Sequence, residues 1–133
     1  MVFDEIGLDE EGAAGEFYFL PLPETDDEVE VQHFAAAITV LDDIDEKYLP
    51  ALFEAMSYIN FALPCGAYSI DKDKSFCAFR MTVPLKIDMP GDELYDEMNI
   101  VMGNAVTIVD VHMDILRKVG AGEMTAAEVK ELL

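Results

Sequence analysis

The feature that most constrains the fold is a pair of alternating segments joined by a short polar turn. In residues 67–70 and 75–85, apolar and polar side chains alternate with the period of two that is typical of a β-strand. The polar residues 71–74 (DKDK) separate the two runs. This pattern predicts a β-hairpin, and pairing the first with the last turn residue places Tyr68 opposite Cys77. A hairpin in the middle of the chain requires an antiparallel sheet.

The other segments predict strands and helices around this hairpin in the order strand, strand, helix, hairpin, long helix. This order indicates an α+β fold, an antiparallel β-sheet with helices packed on it. Residues 1–15 form an acidic arm and residues 16–133 a single domain. The predicted elements are an edge strand at 16–22, a strand at 31–41, a helix at 48–63 behind an Asp45 N-cap, a helix from Pro90-Gly91-Asp92 to about Val119, and a terminal helix after the capping box Thr125–Glu128.

Charge and hydropathy limit the class of partner. The chain has 28 Asp and Glu against 8 Lys and Arg, and its net charge of −20 disfavours nucleic acids and anionic membranes as partners. No run of eighteen apolar residues is present and the N-terminus opens with acids, so we expect a cytoplasmic protein with reduced thiols. Residues 1–46 contain fifteen acids and no Lys or Arg. A solvated surface explains them most simply, and a docking site for a basic partner is the alternative.

The cysteines and histidines do not form a recognisable chemical motif. The predicted register separates Cys65 from Cys77 by three positions, roughly 10 Å, so we expect no disulfide between them. An EF-hand loop beginning at residue 71 would need glycine where Phe76 stands. A zinc site would need His33 and His112 to converge with both cysteines from four separate elements. Nucleotide-binding, hydrolase and CxxC motifs are missing from the sequence, so we expect no metal, no cofactor and no enzymatic activity.

Two surfaces carry more apolar side chains than water-facing surfaces usually do. One is the sheet face opposite the core, where small side chains replace the charges of a solvated sheet. The other is the long helix, whose two adjacent apolar stripes include three methionines that form either an adaptable contact surface or core filler. A partner, the N-terminal arm or a thin layer of water would cover the sheet face. The candidate residues for a partner or dimer surface are His33, Ala35, Ala37, Phe76, Ala78, Arg80, Met98, Met102 and Met113.

A longer pattern adds a family resemblance. The segment MSYINFALPCGAYSIDKDKSFCAFRMTVPL, followed by PGDELYDEM and ILRKVGAGEMTAAEV, resembles the YbjN family of bacterial sensory transduction regulators over roughly residues 30–128. The resemblance implies a sandwich like that of type III secretion chaperones, which are small homodimers that bind other polypeptides. That fold usually has an amphipathic helix before its first strand, and this sequence shows no clear one. The matching residues are structural and identify no catalytic group: Ile59, Asn60, Leu63, Pro64, Gly66, Tyr68, Ile70, Asp71, Phe76, Arg80 and Pro84.

We therefore expect a non-enzymatic, chaperone-like or regulatory module that forms a homodimer and binds a protein or peptide. One alternative is an acidic, antitoxin-like inhibitor that neutralises a basic partner through residues 24–46. A second alternative is a small-ligand-binding domain with a pocket around His33 and Arg80. Salt separates the first two, because apolar recognition persists at about 0.5 M salt whereas charge capture weakens.

Overall fold

The computed structural model describes residues 14–20, 31–73, 75–86 and 88–133. The strands β1 to β4 form one antiparallel sheet in the order β1-β2-β4-β3. Three helices in the described part of the chain pack on this sheet, which confirms the predicted α+β fold. The elements are β1 Ala14–Phe19, β2 Val31–Leu41, a 3₁₀ turn at Glu46–Tyr48, α1 Leu49–Ala62, β3 Ala67–Asp71, β4 Phe76–Lys86, α2 Gly91–Gly120 and α3 Ala126–Leu132.

Alternation in the two long strands sets which sheet face is buried. Phe34, Ala36 and Ile38 of β2 are buried, as are Cys77 and Phe79 of β4, and all five belong to the hydrophobic core. The helix α2 lies against β2 and β4, α1 lies beside α2 and against β3, and α3 packs on α1. The core therefore lies between one face of the sheet and the helix layer.

Two capping side chains expected from the sequence are formed, one at the 3₁₀ turn that precedes α1 and one at α3, whereas α1 and α2 begin without a side-chain cap. The Asp45 side chain accepts a hydrogen bond of 3.0 Å from the backbone N–H of Lys47 and caps the 3₁₀ turn. Pro50 lies in the first turn of α1, where its missing N–H is tolerated. The Thr125 hydroxyl accepts the N–H of Glu128 at 3.2 Å, so the predicted cap of α3 is confirmed.

Residues from both apolar stripes of α2 are buried within one chain. Val109 is fully buried, and Met98 and Met113 are 4% and 3% exposed in the same core. The expectation that these two methionines form a contact surface is wrong, because the sheet and α1 both contact α2 and cover more than one stripe. Met102 is half-buried at the edge of the core.

The hairpin register differs from the prediction by two residues. Tyr68 pairs with Phe79 rather than with Cys77, and the turn occupies residues 72–75. The Asp71 side chain accepts the N–H of Asp73 at 3.0 Å, and Ser75 has φ of 55°, so the wider turn takes two residues from the predicted ladder. An even shift leaves each side chain on its predicted face of the sheet.

The first strand begins earlier than expected. Ala14 and Gly15 belong to β1, so the strand begins two residues before the predicted start at residue 16 and ends at Phe19. The strand lies at one edge of the sheet, as its prolines predicted. Residues 1–13 of the predicted arm, and residues 21–30 with the acidic turn, lie outside the described residues. None of the described helices combines the length and apolarity needed to cross a bilayer.

Candidate functional site

The candidate site is the sheet face turned away from the helices, which we call the open face. It forms a groove of about 860 Å³ that crosses all four strands. Its floor consists of small side chains, because β2 contributes Ala37 and Thr39, β4 contributes Ala78, and β3 contributes Ser69. The short side chains leave room for another molecule to approach the backbone of the sheet.

Strand pairing places two opposite charges symmetrically about the middle of this floor. Glu16 on β1 pairs with Ala37 on β2, and Ala37 pairs with Arg80 on β4. The three residues therefore form one row across the sheet, with Arg80 and Glu16 about 10 Å apart at the backbone, two strand spacings. The next row contains Thr39, Ala78 and Ser69, so hydroxyl groups lie diagonal to Arg80.

The Arg80 side chain is exposed, and no side-chain hydrogen bond or ion pair joins it to any other described residue. Glu16 is exposed as well. Glu16 and Arg80 are thus an acid and a base of the open face that do not pair with each other within the described part of the chain. Both remain available to a molecule that occupies the groove.

The open face differs in charge from the rest of the protein. Its strand residues include two acids, Glu16 and Asp71, and two bases, Arg80 and Lys86, so the four strands carry no net charge on this side. By contrast, α2 alone carries six acids and two bases. The net charge of −20 is therefore not spread evenly, and the open face is a neutral region of an anionic protein.

The structure brings part of the predicted surface together. Ala37, Phe76 and Arg80 line the groove. Ala35 and Ala78 lie on the same face but are only 4% and 5% exposed, and of the two Ala78 lines the groove. Both offer little contact area of their own, which corrects their assignment as contact residues.

His33 does not join Arg80 in a pocket. It pairs with Pro84, four residues along β2 from the Ala37 that pairs with Arg80, and it does not line the groove. Its Nδ1 atom is buried without a hydrogen-bond partner among the described residues. Within the described residues, His33 and Arg80 therefore do not line one shared groove as the small-ligand alternative expected.

A polar cluster lies on the opposite, core side of the sheet. The Asn60 side chain donates to the carbonyl of Tyr68 at 3.0 Å and accepts the N–H of Tyr68 at 2.8 Å, which joins the end of α1 to the edge strand β3. The Tyr68 hydroxyl lies 3.3 Å from His112 Nδ1, and this nitrogen lies 2.9 Å from the carbonyl of Ile108. Assigning the proton to Nδ1 lets His112 donate to that carbonyl.

Burial explains the displaced pKa values in this cluster. Burial raises the pKa of the Tyr68 hydroxyl and raises that of the Cys77 thiol to about 12. Burial also lowers the pKa of His112, opposed by its hydrogen bond to the Ile108 carbonyl. All three groups favour their neutral form, as expected for side chains that pack in a core.

The cysteines are both free thiols. The Cys77 thiol is fully buried and donates to the sulfur of Met56 at 3.8 Å, whereas Cys65 is half-buried and donates to the sulfur of Met81 at 3.7 Å. Within the ranges that the structure describes, no three His, Cys, Asp or Glu side chains are grouped to hold a metal ion.

Glu16 and Ser69 are among the open-face residues that were not predicted from the sequence. Both line the groove, yet nothing in their immediate sequence marks them. Their positions in the alternation of β1 and β3 indicate which face they occupy, but their rows depend on pairing with strands far away in the sequence.

Comparison with known proteins found that no family model, no curated protein and no solved structure matches this chain.

Proposed function

We propose that the protein is a non-enzymatic protein-binding module, chaperone-like or regulatory, that works as a homodimer. The observation that carries the proposal is the open face, whose strand residues carry no net charge on an otherwise strongly acidic chain and whose floor forms a groove. An antiparallel sheet face in contact with water usually presents many charged side chains. The cores of protein–protein interfaces are poor in charged residues, and the small floor of this groove suits contact with another polypeptide.

The positions of the displaced pKa values favour binding over catalysis. Catalytic groups with displaced pKa values are expected to face a cleft that a substrate can enter. Here Tyr68, Cys77 and His112 lie on the core side of the sheet, and none of them lines the groove. Their pKa values follow from burial and support a structural role.

The resemblance to the YbjN family supports the chaperone-like part of the proposal. Residues that carry the resemblance stabilise the connection from α1 to the hairpin: Asn60 binds the backbone of Tyr68, and Gly66 lies against Phe79. Homodimers with a type III secretion chaperone sandwich bind other polypeptides. We extend this role, and the same sandwich arrangement, to the present chain.

A second candidate is an acidic inhibitor of a basic protein. Part of the segment 24–46 supports it, because Asp42, Asp43, Asp45 and Glu46 are all exposed between β2 and α1. Residues 24–30 lie outside the described residues. Binding that is lost at about 0.5 M salt would favour this inhibitor, whereas binding through the neutral open face persists at that salt concentration.

Photo-crosslinking tests the proposal directly. A benzophenone amino acid replaces Phe76 in the groove or, as a matched control, Tyr95, which is exposed on α2. We expect irradiation of the purified Phe76 variant to give an adduct of twice the chain mass of 14.8 kDa, also at about 0.5 M salt. In host cells we expect further polypeptide adducts, with few from position 95. Equal labelling at both positions, or no protein adduct at either, would refute protein binding at the open face.

A further inference from the structure

We infer that the open face pairs with the open face of a second copy about a two-fold axis that runs parallel to β2, so that each Glu16 contacts the partner's Arg80. The inference rests on the proposed homodimer and specifies its geometry. The reasoning uses three observations on the open face: the row of paired residues, the small side chains along β2, and the neutral charge.

The row across the sheet sets the geometry. Glu16, Ala37 and Arg80 lie side by side on β1, β2 and β4. Since neighbouring strands are about 4.8 Å apart, the acid and the base lie at roughly equal distances on either side of Ala37. An arrangement of opposite charges around a central small residue can be self-complementary.

Charge selects one of the two simple ways to stack the sheets. Rotation about an axis parallel to β2 places β1 over the partner's β4, and Glu16 then faces Arg80 of the partner subunit in two equivalent pairs. Rotation about an axis across the strands would instead place each Glu16 against its own counterpart and each Arg80 likewise. Like charges in contact are costly, so the arrangement with the axis parallel to β2 is the favoured one.

Side-chain size along β2 fits the same axis. In this arrangement Ala35, Ala37 and Thr39 each face their own counterparts, and Ala14 faces the partner's Ala78. Packed sheets are separated by about 10 Å, and the twist of each sheet keeps the strand directions within about 30°. Small residues on the axis permit that approach without a clash between identical side chains.

The neutral open face also explains how two strongly anionic chains can associate. The acids of α2 point away from this contact, and screening by salt weakens the repulsion between them. The strands that face each other span a flat area on the order of 400 Å² per copy. An interface of this size is small, so we expect reversible association at micromolar concentration.

Reciprocal charge reversal tests the pairing. Glu16→Arg and Arg80→Glu each place two like-charged contacts in the homodimer, and we expect each to weaken self-association by about 100-fold or more. A mixture of the two variants restores both opposite-charge contacts and should form a heterodimer within about tenfold of the wild-type affinity. Sedimentation equilibrium from about 10 to 200 μM measures association. Native mass spectrometry with one variant labelled with ¹⁵N identifies the heterodimer.

Lys118→Glu is the control for net charge. It changes the charge as Arg80→Glu does, but on the exposed side of α2, and it should leave dimerisation unchanged within about threefold. Circular dichroism and urea midpoints confirm that each variant folds. Single variants that dimerise like wild type, or a mixture that stays monomeric, would overturn the inferred pairing. A wild type that stays monomeric while position 76 captures other proteins would overturn the pairing and the homodimer but leave protein binding at the open face standing.

Discussion

Replacing Gly66 with alanine tests how the chain enters the hairpin. Gly66 has φ of +73°, a conformation that costs an alanine about 1–2 kcal/mol. An added Cβ would clash with the Phe79 ring, 2.7 Å from its Cε2 atom, and would lie 3.0 Å from the carbonyl oxygen of Arg80. The Phe79 ring is fully buried, and its centroid lies 5.2 Å from the centroid of the Tyr68 ring. The ring therefore cannot move without disturbing the core.

The expected loss follows from these two costs. Forcing a buried ring out of place costs about 1–3 kcal/mol, and the entropy that alanine removes from the unfolded chain offsets about 0.4–1 kcal/mol. We therefore expect Gly66→Ala to lower the free energy of unfolding by about 2–4 kcal/mol, a large part of the roughly 5–15 kcal/mol typical of a domain. Urea unfolding followed by circular dichroism measures this change.

Gly103→Ala is the matched control. Gly103 is exposed within α2, and an added Cβ would meet nothing within 4 Å. Alanine should therefore stabilise the protein by about 0.5–1 kcal/mol through helix propensity. A loss below about 1 kcal/mol at Gly66, or effects of the same sign at both glycines, would refute the reasoning about backbone strain and ring contact.

Three further predictions concern the core side of the sheet. Asn60→Ala removes both hydrogen bonds to Tyr68 and should lower the free energy of unfolding by about 1–3 kcal/mol in urea; an unchanged midpoint would contradict this role. In native protein at pH 8, a thiol reagent should modify Cys65 and reach Cys77 only on unfolding, because Cys77 is fully buried with a pKa of about 12; equal rates would disprove it. Because the pKa of His112 is lowered in the folded protein, the unfolded chain binds a proton more readily than the folded one as the pH falls through about 6.5. Stability should therefore decrease as the pH is lowered from about 7 to about 5, and His112→Gln should flatten this dependence. Parallel curves for wild type and variant would contradict it.

The amino-acid sequence alone determined the type of each element and the face on which its side chains lie. Alternation in β2 and β4, the proline near the start of α1 and the Thr125 cap are local signals, and the structure confirms them. Although the predicted hairpin register was wrong, each side chain lies on the predicted face of the sheet, because a shift of two residues is one full period of a strand. Local periodicity depends on near neighbours in the chain, and these are visible in the sequence.

Only the tertiary structure decided how distant segments meet. The row joins Glu16, Ala37 and Arg80, and Ala37 is more than twenty positions along the chain from Glu16 and more than forty from Arg80. Packing of α2 against both the sheet and α1 buried Met98 and Met113, although their sequence pattern left a contact surface open as an alternative to core filling. Such contacts depend on the register, order and spacing of elements in three dimensions, and side-chain periodicity within one segment carries no information about them.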